Sequence, residues 1–305
     1  ISNMSHVLMH PLHPPPLFQG EKPIPICFRN QNLSWKCIHC KIQMLAFGRD
    51  MVLGGMSVPY KIKVIVPIPM DEAGVANRAS QLPKSLVTPG FEPEFIAVKF
   101  GAALGDSYHD MMLMDWTVFQ AGLKAEEEGF DAVCIDTVSD SGLYALRSKL
   151  TIPVLGPGEV AFHLACILGK RFSILTMWDE WFPLYTKTLT EYRLEGRLAS
   201  MRSIKTRPDV TALLEGKEEI IFEKLRWEAE CAIEEDGADV IVLGSTTMHQ
   251  SADYLASVLP VPVINPGLVT YKFAEMLLTL GLSHSKQAFP APEVPKDNDI
   301  LKGWY

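Results

Sequence analysis

Between residues 60 and 285, short apolar runs closed by turn residues alternate with longer stretches in which apolar positions recur every three or four residues. The short runs predict β-strands at 61–67, 95–100, 132–136, 153–155, 172–176, 199–203, 239–243 and 262–264. The longer stretches predict helices at 107–128, 141–149, 158–169, 180–193, 211–236, 248–258 and 268–281. Runs such as Ala132-Val133-Cys134-Ile135 and Val240-Ile241-Val242-Leu243 carry no polar alternation, the mark of strands covered on both faces. The order of strands and helices predicts an α/β fold of parallel sheets flanked by helices.

The pattern is also written twice. Glu126-Glu127-Glu128-Gly129-Phe130-Asp131, leading to Asp136-Thr137, returns as Glu234-Glu235-Asp236-Gly237-Ala238-Asp239, leading to Gly244-Ser245, 108 positions later. Ile152-Pro153-Val154-Leu155-Gly156-Pro157-Gly158 is echoed by Val261-Pro262-Val263-Ile264-Asn265-Pro266-Gly267. The expectation is two similar lobes related by a pseudo-two-fold axis, residues 58–155 with 268–284 in the first and 156–267 in the second. In open α/β sheets ligands sit at the carboxyl ends of strands, so the cleft is placed between the lobes, where Thr137 and Ser245 face each other.

Residues 1–57 break the pattern: Pro11, Pro14, Pro15 and Pro16 stop helices, and no apolar period replaces them. This leader is expected to be disordered or loosely attached. Met56 stands just before the first strand, which leaves two readings open: a part of the mature protein, or an extension upstream of it. Cys37 and Cys40 have the spacing of half a zinc site, which needs a second pair of ligands, so no metal is expected. Residues 285–305, rich in Pro, Lys and Asp, read as a tail.

Composition narrows the function. A formal net charge of −8 is the wrong sign for nucleic acid or an anionic membrane, and leaves a small-molecule substrate as the expected partner. The six cysteines show no regular spacing, the chain contains no long uninterrupted apolar run, and no secretory signal is visible. A cytoplasmic location is expected.

Candidate chemistry collects where the two equivalent strands end. Ser139, Asp140, Ser141 and Gly142 follow Thr137, and Thr246 and Thr247 follow Ser245, setting hydroxyls and backbone N–H groups at two helix starts. Such ends cap helices and also receive anions. Asp136 is a candidate base, or a carboxylate on the strand's other face. His249, in a first helical turn, is a candidate base kept neutral by the helix dipole, or a solvent-facing residue.

Asp136-Thr137 running into Asp140-Ser141-Gly142-Leu143, then Pro153-Val154-Leu155-Gly156, Phe172-Ser173-Ile174-Leu175-Thr176 and Asp239 to Ser245, together resemble the aspartate/glutamate/hydantoin racemase superfamily over residues 61–283, the hydantoin racemase branch above all. The resemblance implies a cofactor-independent isomerase working by proton transfer next to a carbonyl of a small cyclic amide or carboxylate, and a homo-oligomer. In the family a cysteine ends each equivalent strand, one thiolate taking a proton and the other thiol returning it. Here those places hold Thr137 and Ser245, hydroxyls that ionise far above neutrality. They remain candidates as oxyanion donors, as substrate-binding groups or as an activated nucleophile. Pro67 and Ile68 stand where the family has Asn-Pro-Asn, and Thr176, Met177 and Trp178 end the matching strand as a further candidate wall. Alternative readings are a lyase, decarboxylase or hydrolase using the same pocket, and a binding protein that kept the cleft without the chemistry.

Overall fold

The computed structural model describes residues 58–208 and 221–297; the paired cysteines of the leader and the start of the helix predicted from residue 211 lie outside them. Among the described residues, eight strands form two four-stranded sheets, all parallel. The first has the order β2-β1-β3-β4, with β1 Tyr60–Val66, β2 Phe91–Ala97, β3 Ala132–Ile135 and β4 Val154–Leu155. The second repeats it as β6-β5-β7-β8, with β5 Phe172–Thr176, β6 Leu198–Ser203, β7 Val240–Leu243 and β8 Val263–Ile264. The helices are α1 Glu72–Ser80, α2 Tyr108–Gly122, α3 Leu143–Lys149, α4 Pro157–Leu168, α5 Phe182–Tyr192, α6 Phe222–Glu234, α7 His249–Val258 and α8 Pro266–Thr279.

Alternate residues of each central strand feed opposite cores, as a two-residue side-chain period requires. Ile65, Val133 and Ile135 pack with Val118 of α2 and Leu146 of α3. Ile62, Val64, Ala132 and Cys134 pack with Tyr271 and Ala274 of α8. In the second sheet, Phe172, Ile174, Val240 and Val242 meet Ala161, Phe162 and Ala165 of α4, while Leu175, Ile241 and Leu243 meet Leu225 and Ala229 of α6. Helices α4 and α8 also pack on each other. Each follows the last strand of one sheet and closes the core of the other, so the halves exchange their final helices. Each fully buried Ile or Leu here contributes about 1.5–3 kcal/mol by leaving water.

The structure departs from the predicted elements in three places. Strand β2 starts at Phe91, not 95, and pairs one-to-one with β1 from Tyr60↔Phe91 to Val66↔Ala97. Pro93 is tolerated because β2 is an edge strand and one side of its backbone has no ladder to feed. Helix α2 ends at Gly122, and the chain to Gly129 turns instead of continuing helically. Helix α1 was not predicted. Its apolar pattern is weak, but Asp71 caps it by accepting from Gly74 N at 2.8 Å.

Candidate functional site

Strands β3 and β7 end in the same way: Asp136 N donates to Ile65 O at 2.9 Å, and Gly244 N to Leu175 O at 2.8 Å, each one residue past its strand. Beyond these bonds the two chain ends open into one cavity of about 90 Å3, lined from the first half by Thr137 and Ser139 and from the second by Ser245, Thr246 and Thr247. The hydroxyls are paired in the same way on both sides. Thr137 Oγ1 and Ser139 Oγ lie 3.0 Å apart, and Ser245 Oγ and Thr247 Oγ1 lie 2.9 Å apart. On the first side the chain extends to Ser141, whose Oγ is 2.9 Å from that of Ser139.

Apart from Asp136 and Tyr185, the rest of the wall is apolar. Pro67, Ile68 and Met70 come from the segment after β1, Leu104 and Met114 from the β2–α2 connection and α2, and Trp181 and Leu184 from the second half. The indole of Trp181 donates to Leu104 O at 2.8 Å and so joins the halves above the cavity.

Behind each hydroxyl pair the halves differ. Asp136 is buried and accepts two bonds from Arg78 of α1, Nε to Oδ2 and Nη2 to Oδ1, both at 2.8 Å. Asp136, read from the sequence as a candidate base or as a carboxylate on the strand's other face, lines the cavity while paired with Arg78 in this bidentate way. The counterpart of Asp136 is Gly244, where Tyr185 of α5 donates its hydroxyl to Gly244 O at 2.8 Å. Only glycine leaves room for that ring: a Cβ at 244 would stand 2.5 Å from Tyr185 Oη. Burial pushes the Tyr185 hydroxyl well above its ordinary pKa, so it serves as a neutral donor.

Several sequence-predicted residues lie off this cavity. His249 lines a separate chamber of about 20 Å3, with Gln81, Asn265 and Tyr271, that shares only Asp136 and Thr246 with the main cavity. Asp140 is buried and turned to the far side, where it accepts from Gly158 N at 2.8 Å, Glu159 N at 2.7 Å and Tyr192 Oη at 2.6 Å. It is the cap of α4 supplied from another segment, and burial pushes its carboxyl up to about 7. Ser141 ends the hydroxyl chain without lining the cavity. Gly142, at φ 73, starts α3 and fits where a Cβ would lie 2.9 Å from Asp115 O. Thr176 is fully buried, 2.9 Å from Tyr185 Oη, and Met177 belongs to the α6/α7 core. Trp178 packs on that same core, and the aromatic wall comes from Trp181, three residues later.

Arg78, Met114, Trp181 and Tyr185 had not been singled out from the sequence. Trp181 and Tyr185 carried a usable signal, because they follow β5 as the predicted helix begins. Arg78 carried none, standing in a helix whose apolar pattern is too weak to read. The described cysteines do not line the cavity, and burial pushes the Cys134 thiol far above its ordinary range. Among the described residues no helix is long and apolar enough to cross a membrane.

Comparison with known proteins identifies the family and the fold. The protein family described as Asp/Glu/Hydantoin racemase matches residues 75–274. A hydantoin racemase of Pseudomonas sp. (strain NS671) is 34% identical over 239 residues, covering 76% of this chain and 92% of that protein. Among solved structures, allantoin racemase from Klebsiella pneumoniae superposes with a TM-score of 0.70 at 30% identity, over 77% of this chain and 95% of that one. Glutamate racemase from Bacillus anthracis shares the fold, with a TM-score of 0.53 at 18% identity over 74% of this chain and 85% of that one.

Proposed function

Since the chain belongs to the Asp/Glu/hydantoin racemase family and is an isomerase-type enzyme, we propose that it moves a proton at the carbon beside a carbonyl of a small cyclic amide of the hydantoin kind. The observation that carries this reading is the doubled hydroxyl pair in one small cavity. In a hydrogen-bonded pair of hydroxyls one hydrogen is used internally and the other is left to donate outward. With Ser141 donating to Ser139 and Ser139 to Thr137, the Thr137 O–H is left for the substrate, as one O–H of the Ser245–Thr247 pair is in the other half, and neither has to ionise. Two such donors suit the enolate that forms when the acidic carbon loses its proton, and a single preorganised donor of this type is worth about 10²–10³ in kcat. The apolar wall of Ile68, Met70, Met114 and Leu184 receives the substituent on that carbon and keeps the enolate's surroundings of low dielectric. With Asp136 held by Arg78, the proton passes to a solvent hydroxide, and a water returns one to the carbon and regenerates hydroxide.

A second reading, decarboxylation of an α-substituted malonate-like acid, is favoured by one feature. Among the described residues lining the cavity, the only carboxylate is already bound to a guanidinium. Loss of CO2 leaves the bonding electron pair on carbon as the same enolate without needing a base, and water then supplies the proton.

Incubation with hydantoins and α-substituted malonates in D2O, followed by NMR, chiral chromatography and mass spectrometry, tests both. Deuterium at the acidic carbon with inversion is the expected result, reduced about 10²–10³-fold in Thr137→Val and in Ser245→Ala. A product lacking CO2 favours the second reading. Unchanged substrate throughout, or full activity in the doubly substituted protein, refutes the proposed site.

A further inference from the structure

We infer that Arg78 is a positioning residue that sets the separation between the two hydroxyl ends; the role in turnover rests on the function proposed above. Its guanidinium touches the residue before Thr137 and the residue after Ser245. Nε and Nη2 hold the Asp136 carboxylate at 2.8 Å each, and Nη2 also donates across the halves to Thr246 O at 2.9 Å. Nη1 donates to Gln81 Oε1 at 2.8 Å, and the group lies over the Phe95 ring, 5.8 Å from its centroid. Thr246 returns the connection, its Oγ1 donating to Asp136 O at 3.1 Å.

The consequence follows from the shape of the group. Guanidinium is a rigid planar fork, and four of its five N–H donors are fixed here on three partners. Asp136 and Thr246 are thereby held at a spacing the fork defines, and each is one residue from a hydroxyl that faces the cavity. Other hydrogen bonds between the halves, among them Trp181 to Leu104 O, Tyr192 to Asp140 and Arg147 to Glu159, do not touch these strand ends. A lysine at 78 keeps the charge and loses the fork. A misplacement of about 1 Å at a reacting centre costs on the order of 10²-fold in rate, so a small shift here is measurable.

Removal of one partner alone leaves the other charge buried and unpaired, so the test uses Arg78→Lys and the double variant Arg78→Gln/Asp136→Asn, which removes both charges together. Thermal melts establish that each is folded. The expected result is a fall in kcat of about 10²-fold with KM changed only a few-fold, and crystal structures in which the Thr137–Ser245 separation differs from the wild type by about 1 Å. Wild-type kcat in the double variant, or an unchanged separation in both crystals, overturns the inference. So does activity that falls only in proportion to the folded fraction, which assigns Arg78 to stability alone. The crystallographic separation requires no turnover, so it decides the positioning role even when the wild type turns over none of the substrates and the functional reading fails.

Discussion

The duplicated halves cap equivalent helices by two different routes, and exchanging one route for the other reverses the sign of a mutation. In the second half Asn265 caps α8 from its own N-terminus, its Oδ1 accepting from Gly267 N at 3.1 Å and Leu268 N at 3.4 Å. In the first half the equivalent position is Gly156, and the acceptor comes from Asp140, whose counterpart in the second half is the fully buried Met248. Gly156 has ordinary extended angles, φ −108 and ψ 134, close to the φ −86 and ψ 110 of Asn265. It is therefore glycine for space, since a Cβ would lie 2.4 Å from Asp140 Cγ and 2.5 Å from its Oδ1. Gly156→Asn in the wild type displaces Asp140 and costs about 1–3 kcal/mol as overpacking. Asp140→Ala removes the cap, about 1 kcal/mol, and orphans the half-buried Tyr192 hydroxyl, about 1 kcal/mol more. Placed on Asp140→Ala, Gly156→Asn meets no carboxylate and caps α4 as Asn265 caps α8, regaining about 1 kcal/mol. The coupling between the two sites is thus about 2–4 kcal/mol, and the same substitution destabilises one background and stabilises the other. Urea unfolding at pH 6, with midpoints compared at constant m, measures it. Gly156→Asn with one sign in both backgrounds refutes the reasoning.

Three further outcomes follow from the geometry. Burial raises the Asp140 carboxyl from 3.8 to about 7, so the native state holds its proton more tightly than the unfolded chain does. That stabilisation is complete below about pH 4 and is lost as pH rises through 7, on the order of a few kcal/mol, so unfolding curves of the wild type should carry a pH slope that Asp140→Asn lacks. Gly244→Ala drives a methyl into Tyr185 Oη and Thr176 Cβ, at 2.5 and 2.8 Å, and should cost about 1–3 kcal/mol in a thermal melt together with most of the activity. Trp181→Phe keeps the aromatic wall but loses the bond to Leu104 O. It should cost about 1 kcal/mol and raise KM more than it lowers kcat; unchanged kinetics would show that the bond leaves the cavity unaffected.

The fold was legible because both of its signals are local in the chain. Unbroken apolar runs such as 132–135 and 240–243 belong to strands covered on both faces, and the recurrence of the glycine, aspartate and hydroxyl spacing exposed the duplication. Thr137, Ser139, Ser245, Thr246 and Thr247 line one cavity because strand ends are where such a fold opens. What stayed hidden depends on direction. Asp140 and Ser139 are neighbours in sequence, but Asp140 takes φ 51 and turns its carboxylate to α4, while Ser139 faces the cavity. The partner of Asp136 comes from 58 residues away, on a short helix whose one large apolar residue is Val75, so the sequence does not mark it. Sequence spacing reports which residues share a strand end; it does not report what reaches them from elsewhere.

Equivalence between the halves ends one residue behind the hydroxyls, and this bears on the proposed proton transfer. Behind Thr137 stands an ion pair of Asp136 and Arg78; behind Ser245 stands a glycine carbonyl bound by the neutral hydroxyl of Tyr185. A full charge pair and a neutral dipole create different potentials at the two faces of one bound molecule, so the two faces should not exchange protons with equal ease. Enantiomers have equal free energies in water, so the equilibrium constant for racemisation is one and the two directions must share the same kcat/KM. The asymmetry is therefore expected in kcat and KM moving together, with one enantiomer bound more tightly and turned over more slowly than the other. Progress curves started from each pure enantiomer measure this. If both enantiomers give the same kcat and the same KM, the ion pair behind Thr137 is electrostatically silent at the reacting carbon, and its contribution is confined to geometry.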